Sequence, residues 1–266
     1  MPASTTKLRL LVMIVLLIMG VGLSLGGIYL QQPRDWSSLF INLGTGFLGS
    51  LVTFVLIDLL LTQKEKTEEK QQQTSEFVHK AILSLGRQDN REALKLITQL
   101  RRIGALTDGS CKSADLTNAQ LQHADLRGVD FQGAILRNAD LSNASLRDAS
   151  LILANFDEAT ASSCDFTGAI LQNASLAGTK LQGARLNNAD LSNVILINAS
   201  LVGADLSGAR LTDAILTKSD LTRANLQQAD LTGADLSEAI LDEANLAGAR
   251  LDTHTKLPDG FTPTHV

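Results

Sequence analysis

The sequence predicts an all-β solenoid of about seven four-sided coils, preceded by a transmembrane α-helical hairpin and a short helical connector. Three observations predict it: the long apolar runs lie before residue 62, a charged and glutamine-rich stretch follows them, and from Ala114 onward every fifth residue is large and apolar. An apolar content of 44% over 266 residues would ordinarily suggest one globular core. Its uneven distribution argues against a single compact fold.

Residues 1–62 form the predicted hairpin. Residues 10–30 are apolar or small throughout, and at about 1.5 Å per residue such a run crosses a hydrocarbon core of roughly 30 Å. The run is too long for the apolar core of a cleaved signal peptide and has no small-x-small cleavage site before a polar mature start. The second span, residues 39–61, is interrupted only by Asn42 and Asp58 near its ends, and residues 31–36 make the turn. Asp58 lies within a turn of the polar flank and reads as a boundary residue, not an intramembrane carboxylate. Gly22 with Gly26, and Gly46 with Ser50, have the small-xxx-small spacing that permits close helix approach. Lys7 and Arg9 flank one end, Lys64, Lys66 and Lys70 the other, and Arg34 alone lies in the loop. The basic-residue rule therefore expects both termini and everything after residue 62 in the cytoplasm.

Residues 63–113 are the predicted connector and cap. Residues 63–76 lack apolar periodicity and suit either a solvated helical stalk or a flexible tether. Phe77, Val78, Ala81, Ile82 and Leu85 form an amphipathic patch that Gly86 breaks. Asp89 or Asn90 then caps a second helix bearing Leu94, Ile97, Leu100 and Ile103, which Gly104 ends. A solenoid exposes its core at each end, and these helices are placed to cover the first coil.

From Leu116 to Leu251 there are 28 central residues in one register: 24 Leu, Phe131, Phe156, Phe166 and Ala161. Two places before each stands a small residue, Ala in 23 cases and Val129, Cys164, Thr179, Val194 and Ser219 in the others. Neither a helix of 3.6 residues per turn nor a strand of period two aligns every fifth residue on one buried line. A coil of four five-residue sides does, pointing the central residue and the small residue inward and the other three positions to solvent. Seven such coils stack to about 34 Å at the usual strand spacing. Ala161 sits between Phe156 and Phe166 in one predicted coil, and the two large rings are expected to fill the volume it leaves. Residues 254–266 break the period, and Pro258-Asp259-Gly260 offers a turn that covers the last coil.

Ala114-Asp115-Leu116, Ala124-Asp125-Leu126, Ala204-Asp205-Leu206 and Ala229-Asp230-Leu231 match the A(D/N)LXX signature, and residues 114–253 resemble the pentapeptide-repeat family throughout. The resemblance implies a right-handed quadrilateral β-helix.

Composition narrows function further. A net charge of −5 disfavours general nucleic-acid binding, which needs a basic surface. Cys111 and Cys164 have no metal-ligand spacing and suggest no disulfide framework. His79, His123, His254 and His265 form neither a metal pattern nor a triad, and no phosphate-binding glycine loop occurs. No catalytic residue, cofactor or metal is expected. The three Asn-Ala-Ser tripeptides at 143, 173 and 198 are products of the repeat and carry no glycosylation argument.

Outward apolar residues mark two candidate partner surfaces. Ile195, Ile197 and Ile215 fall on one predicted side of neighbouring coils, and Ile152, Leu153 and Ile170 cluster near an edge. The expected function is that of a non-enzymatic scaffold, anchored in the membrane through residues 10–61 and presenting a rigid rod to a protein partner, with self-association permitted. The alternative comes from the resemblance: one branch of the family has acidic rods that mimic DNA and inhibit type II topoisomerases, and residues 114–253 carry 18 acidic and nine basic side chains.

Overall fold

In the computed structural model the described residues are Leu11, Ile14, Val15, Ile18 and 36–261, with residues 36–47 described as backbone. The chain divides into two units, Met1–Ser75 and Glu76–Val266. Helix α1 spans Trp36–Leu85 and helix α2 spans Asn90–Arg102.

In the first unit, Leu11, Ile14, Val15 and Ile18 are helical and exposed. Along α1, Leu48, Leu51, Val52, Val55, Leu56, Leu59 and Leu60 are exposed at i, i+3 and i+4 spacing, so they form one outward apolar stripe. Among the described residues no helix is long and apolar enough to cross a membrane. The predicted span 39–61 falls inside α1. The predicted span 10–30, apart from four residues, lies outside the described residues, as do the loop 31–35 and the Gly22/Gly26 pair. Residues 63–76 are helical. Lys64 and Glu68 stand 3.8 Å apart at i, i+4 on this polar segment.

The second unit opens with the cap. Val78, Ala81, Ile82 and Leu85 are buried at i, i+3, i+4 and i+7. Phe77, expected in that patch, precedes the stripe by one residue and so points about 100° away from it; it is exposed. Asp89 is the N-cap of α2, its carboxylate accepting from the Glu92 N–H at 3.0 Å. Ala93, Ile97 and Leu100 are the buried face of α2. Ile103, expected on that face, is instead the C-cap residue beyond the last helical turn and is exposed. Gly104 takes φ +82° and ends the helix. At Gly86 a Cβ would stand 3.1 Å from the Thr117 carbonyl oxygen, so this glycine permits close contact between the cap and the first coil.

The coils repeat every 20 residues. Parallel bridges join Asp115 to Ile135, Ile135 to Asn155, and so on at each fifth residue. Each central residue from Leu116 to Leu236 donates its N–H upward, Leu116 to the Ile135 carbonyl at 2.7 Å, and each ladder residue from Ile135 onward donates downward, Ile135 to the Ala114 carbonyl at 2.9 Å. Between sides the chain turns: the Ala119 N–H donates to the Leu116 carbonyl at 3.0 Å, and Asn118 between them has φ +61°. The same left-handed conformation recurs at all 28 positions from Ser113 to Gly248. Nine are Gly and seven are Asn, the residues that adopt it most readily. A reversal every five residues leaves one ladder residue per side, so the expected β-helix is held by isolated parallel bridges in place of extended strands.

The interior is the predicted stack. Every central residue from Leu116 to Leu236 is 0–1% exposed, and at about 1.5–3 kcal/mol per buried Leu this stack is the main stabilising term. The buried hydroxyls are satisfied: Thr179 donates to the Phe156 carbonyl at 2.8 Å and Ser219 to the Leu216 carbonyl at 2.7 Å. Leu106 and Cys111 continue the buried line toward the N-terminus. At the other end Lys256 bridges Asp235, a spacing of 21 in place of 20. Asp252 absorbs the extra residue by accepting from the N–H groups of Gly233, His254 and Thr255. The predicted Pro258 turn forms, with the Phe261 N–H donating to the Pro258 carbonyl at 3.1 Å, and Leu257 and Phe261 pack on the core.

Candidate interaction surface

The 20-residue coil assigns every outward side chain to a side. Side 1 contains residues 114–118 and their equivalents at each 20-residue step, and sides 2, 3 and 4 follow it. The ladder residue of each five is half-buried or exposed and presents a side chain to solvent.

Where that ladder residue is Asp or Asn, it also builds the turn. The Asp115 carboxylate accepts from the Thr117 N–H at 3.1 Å and from the Thr117 hydroxyl at 2.6 Å. The arrangement recurs at Asp140 with Ser142, Asp165 with Thr167, Asp190 with Ser192 and Asp220 with Thr222. These bonds replace water at the turn N–H and explain the Asp/Asn of the repeat. The Thr117 hydroxyl, then its N–H, hold the Asp115 carboxyl below its usual range. Arg127 donates to Asp125 at 2.8 Å and holds it at about 2, and Lys256 with Ser237 does the same for Asp235. Most of the rod's acids therefore have structural work.

The acids are also dispersed. Side 1 carries five acidic and two basic residues, side 2 four and two, side 3 four and three, side 4 five and two. Cross-coil pairs interleave them, Arg223 with Glu243 at 2.8 Å and Arg147 with Asp165 at 3.5 Å. No side is a continuous acidic stripe.

The structure brings the first predicted cluster together. Ile195 and Ile215 are parallel bridge partners on side 1, and Ile197 lies on the same side two residues beyond Ile195. Ile215 is 38% exposed, whereas Ile195 and Ile197 are half-buried by their neighbours. Side 1 has no charged residue from 174 to 178, 194 to 198 or 214 to 217. The second predicted cluster lies on side 4. Ile170 bridges Ser150, Ile152 follows on the same side, and Leu153 occupies the corner. Leu153 is 61% exposed with φ +60°, so a large apolar side chain stands in water on a left-handed backbone. Ile135 and Ile240, exposed ladder residues of sides 1 and 2, were not singled out by sequence; their signal is an apolar residue immediately before a central Leu.

Cys111 and Cys164 are buried, and desolvation pushes both thiols up, Cys111 to about 12. Among the described residues no group of three or more His, Cys, Asp or Glu is placed to hold a metal ion.

A family model described as "Pentapeptide repeats" matches the chain in eight copies over residues 106–133, 114–151, 134–173, 174–213 and 219–253. No curated protein matches the chain. Among solved structures, the chain is similar to a pentapeptide repeat protein, Rfr23, from the cyanobacterium Cyanothece 51142, with 39% identity over 35% of this chain and 63% of that one and a TM-score of 0.35. The chain thus spans less than two thirds of Rfr23. It is similar to HetL, a pentapeptide repeat protein involved in heterocyst differentiation regulation in the cyanobacterium Nostoc sp. strain PCC 7120, with 27% identity over 62% and 92% of the two chains and a TM-score of 0.38. It is also similar to QnrB1, a plasmid-mediated fluoroquinolone resistance protein, with 22% identity over 54% and 84% and a TM-score of 0.25.

Proposed function

Because the chain belongs to the pentapeptide-repeat family, we propose that it is a non-enzymatic interaction protein that docks a protein partner on side 1 of its rod. One observation carries the reading: the Ile195–Ile215 ladder pair lies in the longest stretch of any side, residues 174–178, 194–198 and 214–217, that contributes no charged residue. Interface cores are depleted of charge and enriched in apolar area, and a rigid solenoid side loses little entropy on binding. The proposal includes a membrane anchor through residues 10–61, with the rod and both termini in the cytoplasm. The outward apolar stripe from Leu48 to Leu60 supports lipid contact, and the Lys64, Lys66 and Lys70 flank supports the orientation.

The test is affinity purification of the intact protein from gently solubilised native membranes, beside a variant with Ile195, Ile197 and Ile215 all changed to Ser. A stoichiometric partner that the variant loses is the expected result. Equal recovery by both proteins would rule side 1 out.

A second reading, a DNA-mimic inhibitor of a type II topoisomerase, draws on the excess of acids in residues 114–253. Their dispersal over four sides and their pairing with Arg and Lys favour docking. Inhibition of supercoiling by the full chain at low concentration would reverse the ranking.

A further inference from the structure

We infer that side 2 of the last coil, residues 239–243, is an open strand edge that takes an extended basic segment of a protein partner as an added parallel strand. An apolar residue of that segment lies against Ile240 and a basic one against Asp242. This site is at the end of the rod and stands whether or not side 1 is occupied.

The edge is unpaired backbone. One coil below it, the Leu221 N–H donates to the Ile240 carbonyl and the Arg223 N–H to the Asp242 carbonyl, both at 2.8 Å, and the Ser219 carbonyl accepts from the Ile240 N–H at 2.9 Å. In the last coil the equivalent Leu241 and Glu243 N–H groups and the Ala239 carbonyl have no partner among the described residues. Such a row is a template for another chain unless charge, proline or a covering segment blocks it. Side 1 ends in Lys256 and Pro258, and side 4 presents Arg250 and Asp252, whose carboxylate is turned back to the Gly233 N–H. The side 3 ladder residue, Asn245, is polar and spends its carboxamide on Asn225 and the Ala247 N–H. Side 2 alone ends in an apolar ladder residue, Ile240, which is 48% exposed and has no bridge above it.

Charge selects the occupant. Residues 234–253 hold five acids, Asp235, Glu238, Asp242, Glu243 and Asp252, and one base, Arg250. Two copies meeting end to end would set those acids against their own kind, and like charges placed opposite are unfavourable. Four of the five are engaged within the chain, Asp235 with Lys256, Glu238 with Lys218, Glu243 with Arg223, and Asp252 with backbone N–H groups. The Asp242 carboxylate is exposed and has no hydrogen bond or ion pair among the described residues. A parallel strand that continues the register sets one residue on Ile240 and the residue two places later on Asp242. The places flanking the first of these point at the core end, which Leu257 and Phe261 already cover, so small residues fit there. The matching segment therefore reads small, apolar, small, basic. Its main chain donates to the Ala239 carbonyl and accepts from the Leu241 and Glu243 N–H groups, as strand addition to a sheet edge requires.

The test uses the full chain in mild detergent and a fluorescein-labelled peptide, Ser-Ala-Ile-Ala-Lys-Asn, with blocked ends. Fluorescence anisotropy measures its binding. Methylating the amide nitrogen of the peptide's Ile removes the donor to Ala239 and should weaken binding roughly three- to tenfold, the range for one lost hydrogen bond. Ile240→Lys should weaken it as well; Lys stands natively at the ladder positions 180 and 256, so the fold accepts it. Asp242→Lys should reverse the preference, so that a peptide with Glu in place of Lys now binds more tightly than the original. At saturating peptide, amide exchange should slow at Leu241 and Glu243 and stay unchanged at Leu246 and Leu251, whose N–H groups are equally unpaired on sides 3 and 4. No binding at millimolar peptide, equal binding of the Lys and Glu peptides by the native chain, indifference to N-methylation, or protection at Leu246 and Leu251 in place of Leu241 would each overturn the inference.

Discussion

The rings of Phe156 and Phe166 meet edge to face, with centroids 6.1 Å apart and planes at 82°. They are the central residues of the two sides flanking Ala161, the single small residue in the central line. All three are fully buried. Two oversized rings thus converge beside one undersized neighbour, and the edge-to-face contact adds a favourable term beyond area alone.

Restoring the consensus at this point is therefore predicted to harm the protein. Ala161→Leu forces additional methyl groups against the ring pair and should lower stability by about 1–3 kcal/mol. A urea titration followed by circular dichroism measures it. A raised midpoint would show that the rings leave unfilled space.

Leu153 makes the opposite prediction. The left-handed conformation costs a non-glycine residue roughly 1–2 kcal/mol, and Leu153 recovers little by burial because it is largely exposed. Leu153→Gly and Leu153→Asn should both raise the thermal midpoint, with Gly offset in part by greater freedom in the unfolded chain. A fall in the midpoint for both would mean that Leu153 packs on Ile152 and Ile170 strongly enough to outweigh the strain.

Leu153 also shows where the sequence was legible and where it was not. The period of five is carried by the buried central and small residues, and sequence alone located those through the core, Ala161 included. The left-handed corner is carried by backbone conformation, which Gly and Asn mark at 16 of the 28 positions but Leu153, Lys218 and Glu238 do not. Asp115 and its equivalents looked like solvent-facing polar residues, because an Asx turn leaves no trace in hydropathy. Ile195 and Ile215 could be placed on one side by counting in twenties, whereas the half-burial of Ile195 depends on its neighbours' side chains. Phe77 and Ile103 were misplaced for a local reason, since one residue of helix phase decides which way each points.

The same Asp residues predict a pH dependence. Arg127 holds Asp125 at about 2, Lys256 holds Asp235 at about 2, and the Gly233 N–H with His254 depresses Asp252 further. Each folded value lies below the unfolded Asp value of about 3.9, so folding favours the charged form. That contribution is fully present above the unfolded value and is lost as pH falls through the folded one. Stability should decline between about pH 4 and pH 2, and the Asp125→Asn/Asp235→Asn double variant should decline less steeply over that window. Urea midpoints at a series of pH values check this, and an unchanged slope in the variant would assign acid sensitivity to other carboxylates.

One guanidinium adds polar contacts to the apolar packing of the cap. From α2, the Arg101 Nη2 donates to the Asp125 carbonyl at 2.9 Å and the Arg127 carbonyl at 3.0 Å, and stands 3.2 Å from the Asp125 carboxylate. One guanidinium nitrogen thereby ties the helix to Asp125 and Arg127 on a single side of the first coil. Lysine supplies a point charge on a flexible stem and does not reproduce that geometry. Arg101→Lys should therefore weaken docking, and Arg101→Ala should cost about 2 kcal/mol, the range for hydrogen bonds made by charged groups. Because a solenoid unravels from an uncovered end, the loss should be local at first. Amide exchange should accelerate at Leu116, Leu121 and Leu126 while Leu196 and Leu201 keep their protection. Equal acceleration along the whole rod would mean that α2 adds to a single cooperative unit and does not guard one end of it.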